Sequence, residues 1–182
     1  MVRPCYQTGR LLLRLASPAL AEGVADYYCR NRAFLSPFEP THGDAFYTVA
    51  DQRERLEGEA LDAKEDRGYR FYLSLLERPE EIIGLSALNN LVWGAFQSCF
   101  LGYKLDSGLL RQGYMTEAVC ETVRIAFQEL KLHRVEANIM PRNIASLGVV
   151  KKVGFEPEGL AVRYLQIHGV WEDHVHMVQR NE

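Results

Sequence analysis

The sequence predicts a mixed α/β fold, and three observations carry that prediction. Residues 69–105 hold three runs of strand character separated only by turns, the pattern of an antiparallel meander. An amphipathic segment, 114–131, follows after one loop and places Met115, Ala118, Val119, Thr122, Val123, Ala126, Phe127 and Leu130 on a single helical stripe. Strand and helix then alternate once more before a closing hairpin. The 182 residues, 47% hydrophobic and 25% charged, suit one domain spanning 1–182. A chain of this length buries roughly 70% of the surface its unfolded form exposes, so its core needs neither disulfide nor structural metal.

Taken in order, residues 10–15 alternate as a strand does, and Ser17-Pro18 offers an N-cap and a first-turn proline for a helix to about Arg32. Phe34-Leu35-Ser36-Pro37-Phe38-Glu39-Pro40 holds two prolines and two aromatics: too interrupted for regular helix, too apolar for a solvated linker. It is expected to pack on the domain. Residues 44–67 space Phe46, Val49, Arg53, Leu56, Ala60, Leu61 and Ala63 as a helix does, with Gly68 as C-cap. The meander follows as strands at 69–76, 82–91 and 95–105, turning at 78–81 and at Trp93-Gly94. Gly102, inside the third of these, marks a bulge or the close approach of a ligand. Beyond the long helix, 134–140 is a strand, Pro141-Arg142-Asn143 breaks it, 144–153 is a short helix ending at Gly154, and 158–167 and 171–179 pair around His168-Gly169.

Composition narrows the function. Lys+Arg 21 against Asp+Glu 24 gives a net charge of −3, which argues against a broad phosphate-binding surface, so no nucleic-acid partner is expected. Leu11-Leu12-Leu13 is cut by Arg14, the apolar run at 82–92 is cut by Asn89 and Asn90, and the first ten residues lack the apolar core of an export signal. The expectation is a cytoplasmic protein with no membrane partner. Cys5, Cys29, Cys99 and Cys120 lack the spacing of a metal knuckle or disulfide frame, and nothing beside Cys99 or Cys120 makes either a nucleophile. His174 and His176 share a strand face, but only His168 could add an imidazole and no carboxylate spacing supports a site, so no metal is expected.

The chemistry-bearing stretch is the loop 106–113 opening the long helix. A helix N-terminus supplies free N–H groups and partial positive charge, and Gly113 lets backbone approach a phosphate closely. Neither a nucleoside-triphosphate loop nor a dinucleotide loop is present. Arg111 and Gln112 read either as added donors or as a solvated loop. A second element, Asn138-Ile139-Met140-Pro141-Arg142-Asn143-Ile144-Ala145-Ser146 with Gly154-Phe155 after it, gives strand, break, short helix and Gly-Phe.

Together with Leu101-Gly102-Tyr103 and the Gln112-Gly113-Tyr114-Met115 loop, this order resembles the GNAT family of acyl-CoA N-acyltransferases. In that family's Q/R-x-x-G-x-G/A loop, Leu110, Gly113 and Met115 stand at the three named positions. Ala25-Asp26-Tyr27-Tyr28, Asn31-Arg32, Phe34-Leu35, Pro37-Phe38-Glu39-Pro40, Glu81-Ile82-Ile83-Gly84, Phe100-Leu101-Gly102-Tyr103, His133-Arg134, Met140-Pro141 and Asp173-His174-Val175 look like the RimJ branch, ribosomal-protein-alanine N-acetyltransferases of the RimJ/RimL group. A methionine is usual in that branch where Met115 stands, which leaves Leu110 as the departure.

The resemblance implies a GNAT fold: a central, mostly antiparallel twisted sheet splayed between the fourth and fifth strands and flanked by helices. It implies acetyl transfer from acetyl-CoA, without metal, to the N-terminal amine, alanine first, of a small-subunit ribosomal protein. A GNAT acting on a small amine or another peptide, and a non-catalytic module binding ribosome-assembly intermediates, are the alternatives. Monomer and homodimer both stay open. Carried over, Leu101, Gly102, Tyr103, Lys104 and Leu105 hold pantetheine, with one N–H polarising the thioester carbonyl. Arg111, Gln112, Gly113, Tyr114, Met115 and Thr116 surround the pyrophosphate. Asn143 and Ser146 lie by the sulfur, with Ser146 the donor to the leaving thiolate, while Asn143 reads equally as an N-cap. Asn138 is either an active-site ligand or a satisfied buried amide.

Many family members carry a glutamate two residues before the glycine of the fourth strand, where Phe100 stands. The carboxylate's absence suits an α-amine, roughly a quarter neutral at pH 7.4, better than a lysine, neutral only at about the 0.1% level. Glu39 is then ranked as a group that binds the acceptor ahead of a base acting through water, with Tyr164 the other candidate for proton removal. Phe38, Asn89 and Asn90 complete the expected acceptor surface, and opposite parity lets only one of the two asparagines face inward. With no activated thiol, direct amine attack is expected rather than an acyl-enzyme.

Overall fold

The structure, a computed structural model, describes residues 2–182. A short strand β1 (Cys5–Gln7) pairs with β2 (Leu11–Leu15), and Ser17 caps a 3-10 turn at Pro18–Leu20 that runs into α1 (Ala21–Leu35). After 3-10 turns at Ser36–Phe38 and Asp44–Tyr47 comes α2 (Val49–Lys64), whose N-cap is Thr48, its side chain accepting from Asp51 N. The meander β3 (Tyr69–Leu75), β4 (Gly84–Val92) and β5 (Ser98–Leu105) leads to α3 (Tyr114–Arg124), β6 (Arg134–Ile139), α4 (Ile144–Val153), β7 (Glu156–Ile167) and β8 (Val170–Arg180).

The strands form one sheet in the order β1-β2-β3-β4-β5-β6-β8-β7. Every pairing is antiparallel except β5 with β6. Side-chain alternation gives each sheet face its own core. Leu13, Phe71, Leu73, Leu88, Leu101, Val135, Ala137 and Met177 pack under Met115, Ala118, Val119 and Val123 of α3 and Val150 of α4. Tyr72, Leu85 and Ala87 pack on the other face under Val24, Tyr27 and Tyr28 of α1 and Leu56 of α2.

Several expectations are corrected. The helix α1 continues through Phe34 and Leu35, so Pro37 ends the run only by turning it into a 3-10 step. Gly68 is not the cap of α2, which ends at Glu65 with its N–H bonded to Leu61 O. The α3 pattern holds, but its last turn relaxes into a π turn at Ile125–Glu129. The register shift lies between Asn89 and Val92 of β4, not at Gly102, which stays in register opposite Ala87.

Candidate active site

The site begins where two strands part. Parallel pairing of β5 with β6 covers only Ser98 to Phe100 against Arg134 to Glu136, after which the strands diverge. Asp106 N donates to Ile83 O at 2.7 Å, which sets the phase of the β5 ladder: Gly102 and Lys104 turn their backbone groups toward β4. The last bond of the β5–β6 ladder uses Leu101 N–H, so the C=O of Leu101 and the N–H and C=O groups of Tyr103 and Leu105 point into the cleft between β5 and β6, unpaired by any strand. A linear chain carrying amides, as pantetheine does, satisfies such groups as another strand would.

At one end of this cleft α3 starts. Gly113, its N-cap, has φ +83°, a left-handed conformation that costs any L side chain, and Arg111 before it is also left-handed at +61°. The first helical bond runs from Glu117 N to Gly113 O, leaving the N–H groups of Tyr114, Met115 and Thr116 free for an anion. Arg10, which no motif singled out, braces this loop. Arg10 donates through Nε to Glu117 Oε2 at 2.7 Å and through Nη1 to Gln112 O at 2.9 Å, and its guanidinium lies 4.4 Å from the centre of the Tyr114 ring. Burial pushes the Glu117 carboxyl up, but hydrogen bonds from Thr8 and Arg10 outweigh it and hold the pKa below the ordinary carboxylate value. The loop is thus fixed by contacts spanning 107 residues of sequence.

At the other end, α4 starts. Asn143 Oδ1 accepts from Ser146 N at 3.1 Å, so Asn143 is the N-cap of α4. Ser146 Oγ donates to the Tyr103 hydroxyl at 2.7 Å, and that hydroxyl donates to Ser146 O at 2.8 Å. Burial pushes the Tyr103 phenol well above its ordinary value, so it stays protonated. Burial also pushes the Cys99 thiol up to about 12, which removes it as a nucleophile.

On the opposite face a cavity of about 190 Å³ opens between α1, α2 and the sheet. Glu39, His42, Arg55, Arg70, Asn89 and Lys104 supply its polar lining and Gly102 part of its floor. Glu39 reaches it because the 36–43 segment packs onto the domain, its carbonyl held by His168 N at 3.2 Å. Its Oε1 pairs with Lys104 Nζ and its Oε2 lies 3.5 Å from His42 Nε2. Lys104 was expected among the groups along pantetheine, yet strand alternation sends its side chain to this face, 5.1 Å from the centre of the Tyr28 ring. Burial holds the His42 imidazole below its ordinary value, Lys104 and Arg55 lowering it further against the pull of Glu39. Asn89 faces the cavity and accepts from Arg70 Nη2 at 3.3 Å. Asn90 is exposed at φ +51° beside the register shift and does not line it.

Three other expected residues do not line this cavity. Phe38 is half-buried under the Arg142 guanidinium, 5.8 Å from its ring centre, outside the cavity wall. Tyr164 stands on β7 against His176, ring centres 4.9 Å apart, and accepts from Asn138 Nδ2 at 3.4 Å. Asn138 Oδ1 is buried without a protein partner. The two histidines bind no common centre: His176 Nδ1 is 2.8 Å from Glu136 Oε1, and His174 Nδ1 is 3.0 Å from Glu172 O. Among the described residues no cluster of three or more His, Cys, Asp or Glu side chains could hold a metal, and no helix is long and apolar enough to cross a membrane.

A splayed parallel pair in an otherwise antiparallel sheet, with a free helix N-terminus at its mouth, is matched by known proteins. The family model of the Acetyltransferase (GNAT) domain matches residues 10–156. The chain belongs to the GNAT acetyltransferase family and is an acyltransferase of that class. It is 42% identical over 144 residues, 79% of each chain, to a probable N-acetyltransferase, YjcK, of Bacillus subtilis. It is 37% identical over 169 residues, 92% of this chain and 86% of the relative, to the [ribosomal protein uS5]-alanine N-acetyltransferase of Escherichia coli. The crystal structure of ribosomal-protein-S5-alanine acetyltransferase from Vibrio fischeri superposes with a TM-score of 0.93 at 32% identity, covering 98% of this chain and 97% of that one.

Proposed function

We propose that this protein transfers acetyl from acetyl-CoA to the N-terminal α-amine of a protein beginning with alanine, a ribosomal protein of the small subunit. The observation that carries this reading is the cleft that opens after Phe100 and Glu136, lined by free backbone groups of Leu101, Tyr103 and Leu105 and closed by the free start of α3. The relative of Escherichia coli that acts on uS5 alanine supports the choice of acceptor.

Acetyl-CoA, when bound, supplies an activated acyl carbonyl for attack by an amine. The N–H groups of Tyr114, Met115 and Thr116, with Gln112, Arg111 and the backbone of Gly113, hold its pyrophosphate. A cleft-facing N–H of β5 donates to the carbonyl oxygen, fixed before reaction by the β4 ladder and so costing little reorganisation. Asn143 fixes the first turn of α4, from which the Ser146 hydroxyl, now donating to Tyr103, would turn to protonate the leaving thiolate. The cavity on the other face receives the amine. Lys104 already occupies one oxygen of Glu39, so Glu39 is left to orient the acceptor through its second oxygen. Nearby Lys104, Arg55 and Arg70 disfavour an ammonium and shift the acceptor toward its neutral, nucleophilic form. That electrostatic contribution stands where other family members place a strong base, at the position of Phe100.

The test is acetyl transfer followed by mass spectrometry on two lysine-containing peptides that begin with alanine, one with a free and one with a blocked α-amine. Acetylation of the free-amine peptide alone is expected. Acetylation of both at lysine would reject the N-terminal reading.

A further inference from the structure

The acceptor cavity carries more positive charge than it needs to hold an amine. Three cationic side chains, Arg55, Arg70 and Lys104, line it against a single carboxylate, Glu39, with His42 beside them held below its ordinary pKa by burial. Glu39 is spent on Lys104. Arg70 pairs through Nη1 with Glu59, which also accepts from the Tyr72 hydroxyl at 3.0 Å, but its buried Nε has no partner. Arg55 makes no ion pair among the described residues, its guanidinium resting 4.8 Å from the centre of the Phe46 ring. A buried guanidinium donor without an acceptor is uncommon, and an uncompensated cation at a cavity mouth favours an anionic ligand. The whole chain carries −3, so this is a local positive island in an acidic molecule and not part of a nucleic-acid surface.

Resting on the acceptor reading above, we propose that Arg55 and Arg70 form an anion subsite that selects acceptor peptides carrying an Asp or Glu side chain within the first few residues after the reactive alanine. Glu39 and the neighbouring backbone orient the amine, while the exposed guanidinium fork of Arg55 takes the carboxylate and the charge of the buried Arg70 behind it adds to the attraction. No covalent step is added. The subsite acts on binding, so its effect falls on KM more than on kcat.

The experiment compares wild-type protein with Arg55→Ala and Arg55→Glu on peptides that begin with alanine and differ only in holding Glu, Gln or Lys at one of positions two to four. For the wild type, kcat/KM is expected to be about tenfold higher for the best-placed Glu peptide than for its Gln partner, mainly through KM. The preference should shrink as salt rises, because Arg55 is exposed at the cavity mouth. Arg55→Ala should bring Glu and Gln peptides within twofold, and Arg55→Glu should make the Lys peptide the best of the three. Calorimetry should show acetyl-CoA affinity unchanged in both variants, which separates loss of the subsite from loss of the fold. Wild-type rates within twofold across all charges would overturn the subsite and leave the N-terminal reading standing. A charge preference that persists in Arg55→Glu would also overturn it. If free alanine outpaces alaninamide tenfold while the peptides ignore charge, the carboxylate is an amino acid's own and the peptide proposal fails. Transfer to no α-amine would reject the acceptor reading and the subsite with it.

Discussion

Ser146 and Tyr103 form a hydroxyl pair whose geometry bears on the proton delivery proposed above. The Ser146 hydrogen is directed at Tyr103 Oη, and the Tyr103 hydrogen at the Ser146 carbonyl. If Ser146 turns its hydrogen toward a sulfur, Tyr103 keeps its own donor bond, so the rotation gives up one hydrogen bond, about 1 kcal/mol. Ser146→Ala is therefore expected to lower kcat about a hundredfold with little change in KM for acetyl-CoA. A loss under twofold in steady-state assays would remove Ser146 from leaving-group protonation. Tyr103→Phe should lower kcat less than tenfold but cost about 1 kcal/mol in urea denaturation, since the Ser146 carbonyl loses its donor. Ser146 entered through the family resemblance of the short stretch that holds it, and its place beside the Asn143 cap is local in sequence. Tyr103 was legible only as backbone, because its hydroxyl meets Ser146 across 43 residues.

At the scale of elements, the pyrophosphate site proposed at the start of α3 depends for its geometry on Gly113. An alanine there would be held in the left-handed region, roughly 1 kcal/mol less stable, with its Cβ at 3.4 Å from Arg10 Nη2. Gly113→Ala is expected to weaken acetyl-CoA binding a few-fold and Gly113→Glu more than tenfold, since the carboxylate would stand in the proposed pyrophosphate site and draw Arg10 away from Glu117. Titration calorimetry giving wild-type affinity for Gly113→Glu would reject the pyrophosphate site. Elements announced by local chemistry were read correctly: α4 between Asn143 and Gly154, the meander, and the closing hairpin. What failed was non-local. β1 is three residues long, with one buried side chain, Tyr6, too short for a periodic signal. The placement of β8 between β6 and β7 is a pairing choice, and no single segment encodes it. The choice between Asn89 and Asn90 follows from parity with Leu85 and Ala87, and only packing under α1 and α2 fixes which face those two residues take. Likewise the charge of the acceptor cavity comes from α2, β3 and β5 together, and each basic residue alone reads as ordinary surface.

Across the whole molecule, carboxylates tie segments distant in sequence, which makes folding stability depend on pH with a definite sign. Glu117 joins the turn between β1 and β2 to α3; Glu129 accepts from the Tyr6 hydroxyl of β1 at 2.6 Å; Asp106 binds Arg30 and Asn31 of α1. Burial raises each of these three pKa values, but hydrogen bonds from Thr8 and Arg10, from Tyr6 and Arg124, and from Asn31, Gly108 N and Arg30 outweigh it, leaving all three below ordinary. Glu158 is held low chiefly by its hydrogen bond from Arg134. A carboxyl whose folded pKa is depressed contributes stability fully above its unfolded value, and loses it as pH falls through the folded one. With ordinary values of 4.5 for Glu117 and Glu129 and 3.8 for Asp106, the stability these groups confer is complete near neutrality and drains away below about pH 4.5. Urea denaturation of the wild type from pH 7 to 3 should show that decline. Glu117→Gln should be less stable than wild type at pH 7, and the gap should narrow as the pH falls below 4.5, because protonation removes from the wild type what the substitution has already removed. A gap of constant size across that range would mean that Glu117 acts through its hydrogen-bonding shape alone. The charge of the carboxylate would then have no part in joining the β1–β2 arm to the helix that opens the site.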